Sequence, residues 1–232
     1  MSAGGNSGVS LTFLARAQDG MMLCASLDRR GGGPYTQQVN DILMDIRRKG
    51  THNLSAKCTI ATGGDMSFHY VIDEGVCFLT LSQTSFNKRL VYGFLEELRC
   101  SFKAFVETES GPGQSYASVI ASASHPYAFI KFDQTIQRKR REYSNPGTSD
   151  NMRRLKEELT DITNIMSSNI DDILKRGENL EDLGQRSRTL KNSSKVFAKQ
   201  ARWMRVCKEM QQYALVGMVL LVIMFVLWWK LF

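Results

Sequence analysis

Arg176 sits where the chain should be most apolar. Ile162, Met166, Ile173, Leu180 and Leu183 recur at the alternating three-then-four spacing of a helical seam, and that spacing puts Arg176 between Ile173 and Leu180. A guanidinium stays charged and carries five N–H donors in a planar fork. Inside a seam it is costly unless acceptors surround it. A parallel homodimer would set two such groups face to face with no counter-group. Side-chain amide oxygens from other helices would satisfy the donors without adding an opposite charge. The implied chemistry is non-covalent: a buried cation that selects partners carrying neutral oxygens.

Residues for covalent chemistry do not gather. His52, His69 and His125 are scattered, with His69 inside a strand pattern as a surface or sheet histidine. No Cys-x-x-Cys, Gly-x-Ser-x-Gly or His-Glu-x-x-His occurs. Gly31-Gly32-Gly33 lacks the Lys-Ser/Thr of a phosphate loop, and Asp73-Glu74 falls in a turn. We therefore expect no enzyme, no catalytic residue, no cofactor and no metal. Five cysteines (Cys24, Cys58, Cys77, Cys100, Cys207) at irregular spacing fit reduced cytosolic thiols better than a disulfide framework. The net charge is +7, yet no acidic residue lies between Asp182 and Glu209, so much of the excess collects near the C-terminus. Arg138 to Arg141 reads as a solvated helix end. Nucleic acid is not the expected partner.

The seam needs a long element. It runs Met152, Leu155, Leu159, Ile162, Met166, Asn169, Ile173, Arg176, Leu180, Leu183, Ser187, Leu190, Ser194, Phe197, Ala201, Met204 without a skip. One helix over that stretch would span about 80 Å at 1.5 Å per residue. A single helix cannot bury its own stripe, and Gly177 and Gly184 weaken it, so the stretch should order only when partner helices arrive. A long homodimeric stalk is the plain alternative, and the seam serines and Arg176 weigh against it. Beyond the seam, Ala214–Trp229 contains no charged residue and reads as a short transmembrane span suited to a thin membrane. Lys195, Lys199, Arg202, Arg205 and Lys208 precede it and only Lys230 follows, which puts the large N-terminal part in the cytosol. Lys199, Arg202, Trp203, Arg205 and Lys208 are the expected contacts with membrane lipids. The first twenty residues lack the pattern of a signal peptide, so a tail anchor is expected, with Cys207 an ordinary thiol beside the bilayer.

Ahead of the seam the pattern is that of a small α+β domain. "VSLTFLARA" and "MMLCASL" read as strands joined at Asp19-Gly20, with the first half-buried. Pro34 opens a helix carrying Val39, Ile42, Leu43 and Ile46 on one face. "KCTIAT", "MSFHYVI" and "VCFLTLS" follow as strands, the last two around Asp73-Glu74-Gly75. Ser85 is the expected cap of a long helix with Phe86, Leu90, Phe94, Leu98, Phe102 and Phe105 on its apolar face. A loop is expected around Gly111-Pro112-Gly113, the insertion over residues 111–124 has no assigned role, Pro126–Phe132 should be extended, and a helix should run from Asp133 to Tyr143. Asn145-Pro146-Gly147 marks a linker.

These residues resemble a known family. "NIDDILKRGENLEDL" looks like the central layers of an R-SNARE, with Arg176 in the ionic-layer position. The strand and helix order ahead of it resembles a longin domain, a profilin-like fold. "FHYVIDEGVCFLTL", "PYAFIKFD" and "SNIDDIL" are most similar to the longin R-SNAREs, of the synaptobrevin family, that shuttle between endoplasmic reticulum and Golgi. The resemblance implies residues 1–8 as a flexible N-terminus, 9–143 as a longin domain of five antiparallel-rich strands and three helices, and 144–151 as linker. It implies 152–204 as the SNARE coiled coil, 205–213 as a basic juxtamembrane segment and 214–232 as the transmembrane tail anchor. The implied activity is membrane fusion through a four-helix bundle with three Q-SNARE helices, whose glutamines surround Arg176. Asn169, Ile170 and Asp171 match the segment that folds back on the longin domain. The COPII coat and the SNARE-disassembly ATPase machinery are the further partners implied. The competing class is a tail-anchored coiled-coil tether without fusion activity.

Overall fold

The computed structural model describes residues 8–26, 35–50, 54–111, 113–144 and 165–177. β1 (Val9–Arg16) and β2 (Met22–Ser26) form the first hairpin. α1 (Tyr35–Lys49) precedes β3 (Lys57–Ala61), β4 (Met66–Asp73) and β5 (Val76–Gln83). Glu74 and Gly75 both take left-handed φ, 42° and 81°, which is the tight two-residue turn that twists with its strands. Then come α2 (Lys88–Ser110), α3 (Tyr116–Ser122), a 3-10 turn over Ile130–Phe132, and α4 (Asp133–Ser144). Two elements come from inside the seam: β6 (Met166–Asn169) and α5 (Ile170–Gly177).

The sheet has the order β2-β1-β5-β4-β3-β6. Its first five strands pair antiparallel, and β6 adds parallel to β3. Neighbouring residues of β4 show what covers its faces. Phe68 meets Tyr35 of α1 edge-on at 6.2 Å, while His69 meets Tyr92 of α2 at 5.7 Å. Since strand side chains alternate, α1 and α2 lie on opposite faces. This explains why β1 is buried on both sides rather than half-buried as its alternation suggests. On the α2 side, Phe102 is the centre of an aromatic cluster with Phe78, Tyr116, Phe129 and Phe132, at centroid distances of 5.0–6.2 Å.

Several expectations need correction. The five antiparallel strands expected of residues 9–143 are present, but the sheet does not end with them: β6, from inside the seam, adds a sixth. Residues 111–124 contain α3, whose Tyr116 and Ile120 are buried on that cluster. Arg16 holds α3 in place. Its Nη1 donates to the carbonyls of Ile120, Ala121 and Ala123 at 2.9, 2.9 and 3.1 Å, while Asp19 orients the guanidinium. These carbonyls at the C-terminal end of α3 lack helical partners, and the guanidinium supplies donors. Pro126–Phe132 is not extended. Tyr127 and Phe129 do donate to Met22 and Leu23 of the edge strand, at 2.7 and 3.1 Å. Tyr127 then takes φ 62°, and the chain winds into turns instead of continuing as a strand. α2 starts at Lys88, because the Asn87 side chain, not Ser85, accepts the N–H of Arg89 at 2.9 Å. The basic run on α4 is only partly solvated: Lys139 pairs with Glu97 at 2.6 Å and Arg140 donates to the Ser10 carbonyl at 2.7 Å.

Met166–Asn169 gives the largest departure. The heptad spacing predicts helix through this point, and the structure has a strand followed by a short helix. The physical reason is the open edge of β3, whose unpaired N–H and C=O groups are a template for another strand.

Candidate functional site

β3 makes the acceptor. It is short and alternates Cys58 and Ile60 on the α1 side with Thr59 on the α2 side. Thr59 anchors the strand inward: its hydroxyl lies 2.9 Å from the Tyr92 hydroxyl and 3.1 Å from His69 Nδ1. His69 Nε2 is in turn 3.1 Å from the Ser82 hydroxyl. Burial holds His69 down to about 4, with Lys88 adding repulsion, so the ring is neutral and both nitrogens can engage hydroxyls. Burial also pushes the Cys58 thiol up from its ordinary range. No ligand need enter this network, because its members satisfy one another.

β6 occupies the edge of that strand in a fixed register: Cys58 opposite Met166, Thr59 opposite Ser167, Ile60 opposite Ser168, and Ala61 opposite Asn169. The segment straddles the sheet. Ile165 packs, half-buried, against the α2-side core. After Asn169 the chain turns into α5 beside α1, and Ile170 and Ile173 are buried to 2% and 5% exposure. The turn has a local cause. The Asn169 side-chain oxygen accepts the Asp171 N–H at 3.2 Å, which caps the first turn of α5 and ends β6 at the same residue. Asp171 and Asp172 occupy that first turn, where negative charge is favoured. Met166 faces outward at 55% exposure, with the Ser55 hydroxyl 3.3 Å from its sulfur.

The arrangement divides the seam residues. Met166 and Asn169 lie in β6, while Ile173 and Arg176 lie in α5. Of the three segment residues named from the sequence, Asn169 caps α5, Ile170 is its deepest anchor, and Asp171 supplies the capped N–H. Met152, Leu155, Leu159, Ile162, Leu180, Leu183, Ser187, Leu190, Ser194, Phe197, Ala201 and Met204 fall outside the described residues. So do Lys199, Arg202, Trp203, Arg205, Cys207 and Lys208, and the expected span over 214–232. Among the described residues no helix is long and apolar enough to cross a membrane, and no group of His, Cys, Asp and Glu could hold a metal.

What sequence reading missed is the pairing partner. Thr59, Tyr92, His69 and Ser82 carry no motif, and they meet only because β3, β4, β5 and α2 assemble. The signal for β6 was present in Ser167, Ser168 and Asn169, three weak helix formers in a row, but the unbroken heptad overruled it.

Known proteins show the same two-part organisation. A family model described as Regulated-SNARE-like domain matches residues 23–136, and one described as Synaptobrevin matches residues 151–231. The chain is 31% identical to the vesicle-trafficking protein SEC22b-B of Danio rerio over 95% of its own length and 99% of that protein. It is 33% identical to the protein transport protein sec22 of Schizosaccharomyces pombe, over 92% and 95% of the two chains. It is 32% identical to the 25.3 kDa vesicle transport protein SEC22-1 of Arabidopsis thaliana, over 96% and 98%. Both domains match, and the relatives align over more than nine-tenths of the chain: the chain belongs to the Sec22 family of longin-domain R-SNAREs, which are non-enzymatic membrane-fusion proteins.

Proposed function

We propose that the chain drives docking and fusion of vesicles between endoplasmic reticulum and Golgi, and that its longin domain holds back part of its own SNARE motif. Residues 152–204 contribute one helix to a bundle with three Q-SNARE helices. Arg176 lies in a central layer, where three glutamine side chains accept its N–H groups and the apolar layers beside it exclude water. The unmatched guanidinium costs stability and in return fixes register and composition. Zipping starts near Met152 and ends near Met204, where Lys199, Arg202, Trp203, Arg205 and Lys208 couple the helix to lipid. Residues 214–232 anchor the chain, with the N-terminal part cytosolic. The COPII coat and the disassembly ATPase machinery act on this chain as partners.

The observation that carries the regulatory half is the burial of Ile173. It is a seam residue, and in the closed arrangement it is 5% exposed against the longin domain. Ile173 cannot fill a bundle layer and remain there. Residues 166–169 cannot be strand and helix at once. The closed and assembled states therefore exclude each other, and their ratio sets how much motif is free.

The test is a mixing experiment. The full chain, and a form lacking residues 1–133, are each combined with ER–Golgi Q-SNARE helices while helicity is followed. We expect a stable complex in both cases and faster assembly of the shortened form. Equal rates would remove the regulatory half. Stable self-association with no response to Q-SNAREs would replace the fusion reading with the tether.

A further inference from the structure

The seat on β3 is not reserved for its own chain. The described contacts that hold the segment lie within residues 165–177: four backbone pairs on β3, the Asn169 cap, and Ile170 and Ile173 beside α1. Every copy carries that segment, and nothing in those contacts depends on which copy supplies it. When a chain's own segment leaves, it exposes the β3 edge from Lys57 to Ala61 and the apolar surface under Ile170 and Ile173. An open strand edge beside an apolar surface is a site for strand addition.

We propose that the longin domain of an assembled chain binds residues 165–177 of a second, unassembled copy. The second copy is the occupant whose fit the structure already displays, with parallel register, a strand of four residues and a capped helix of eight. In a resting chain its own tethered segment wins, because tethering presents it at about millimolar effective concentration. The exchange becomes possible only when that segment is committed elsewhere. This consequence rests on the R-SNARE reading, whereas the acceptor itself rests on the closed arrangement. An assembled copy would then hold a neighbour's motif out of bundles while keeping it beside the site of fusion.

The test uses the full chain with residues 165–177 replaced by a Gly–Ser stretch of equal length. The probe is a fluorescent peptide of the native residues 165–177. We expect the peptide to bind the emptied chain at least about tenfold tighter than the wild-type chain, whose own segment competes. The same peptide carrying Ile170→Asp should lose at least about tenfold in affinity. Equal binding to both chains, or none to an emptied chain that melts cooperatively, overturns the proposal. So does an emptied chain that no longer folds, since a vacated acceptor would not exist. A final arm adds Q-SNARE helices to the wild-type chain. Peptide binding that appears as the bundle forms supports the exchange, and a bundle without peptide binding overturns it. Failure of the bundle itself counts against the R-SNARE reading instead, while the emptied chain still decides the acceptor.

Discussion

Ile170 and Met166 are four residues apart and have opposite duties. Ile170 is 2% exposed in the closed form and lies off the seam, whereas Met166 is 55% exposed and lies on it. Ile170→Asp should therefore open the longin domain and spare the bundle. Putting a carboxylate at that apolar contact costs on the order of 2–3 kcal/mol, which shifts the closed-to-open ratio by about 30- to 150-fold. Met166→Asp should leave the closed form nearly intact and weaken the bundle. Assembly rates and melting of the assembled complex distinguish the two, and a pair of variants with the same phenotype would contradict the division. His69 gives a pH prediction. Its native pKa is held at about 4 by burial, below the ordinary value of 6.5. The unfolded chain thus binds the extra proton first, and stability falls as pH drops from 6.5 towards 4, by up to about 3 kcal/mol. His69→Gln should flatten that part of a melting-versus-pH curve, and an unchanged slope would exclude His69 as its source. Arg176 stands out in the sequence because a charge breaks an apolar repeat. The burial of Ile170 was not legible from local pattern, because its helix packs beside α1, more than a hundred residues earlier in the chain.

At the scale of elements, the same residue that ends a strand starts a helix. Asn169→Ala removes the cap on α5 and should cost about 1 kcal/mol, or roughly fivefold in the closed-to-open ratio. Alanine also favours continuing a helix N-terminally, which the bundle needs. The variant should assemble faster and show earlier amide exchange over residues 170–177; slower assembly would mean the cap is not what holds the closed form. Most elements before residue 144 were readable from local pattern. Alternation marked β1 to β5, Gly75 marked a hairpin, and Val39, Ile42, Leu43 and Ile46 marked a helix face that is buried to within 3% exposure. Where reading failed, the deciding contact was distant. α3 is fixed by Arg16, more than a hundred residues away. The edge of β2 draws Tyr127 and Phe129 into two hydrogen bonds, but not into a strand. β6 exists because β3 has a free side, a fact no window of neighbouring residues contains.

For the whole molecule, the proposed function sets the longin domain and the Q-SNARE helices in competition for one segment, and the expected anchor gives that competition its consequence. If the bundle's helix transmits force to the anchor, a flexible insert between Met204 and Ala214 should impair fusion more than complex formation. Equal loss of both would remove that transmission. The central claim is that residues 166–177 leave β3 and α1 when the bundle forms. Amide hydrogen exchange of the full chain, before and after addition of the three Q-SNARE helices, tests it most directly. We predict that β3, residues 57–61, loses protection while residues 166–177 remain protected in their new helical partnership. Protection of β3 that stays unchanged in a fully formed complex would contradict the account.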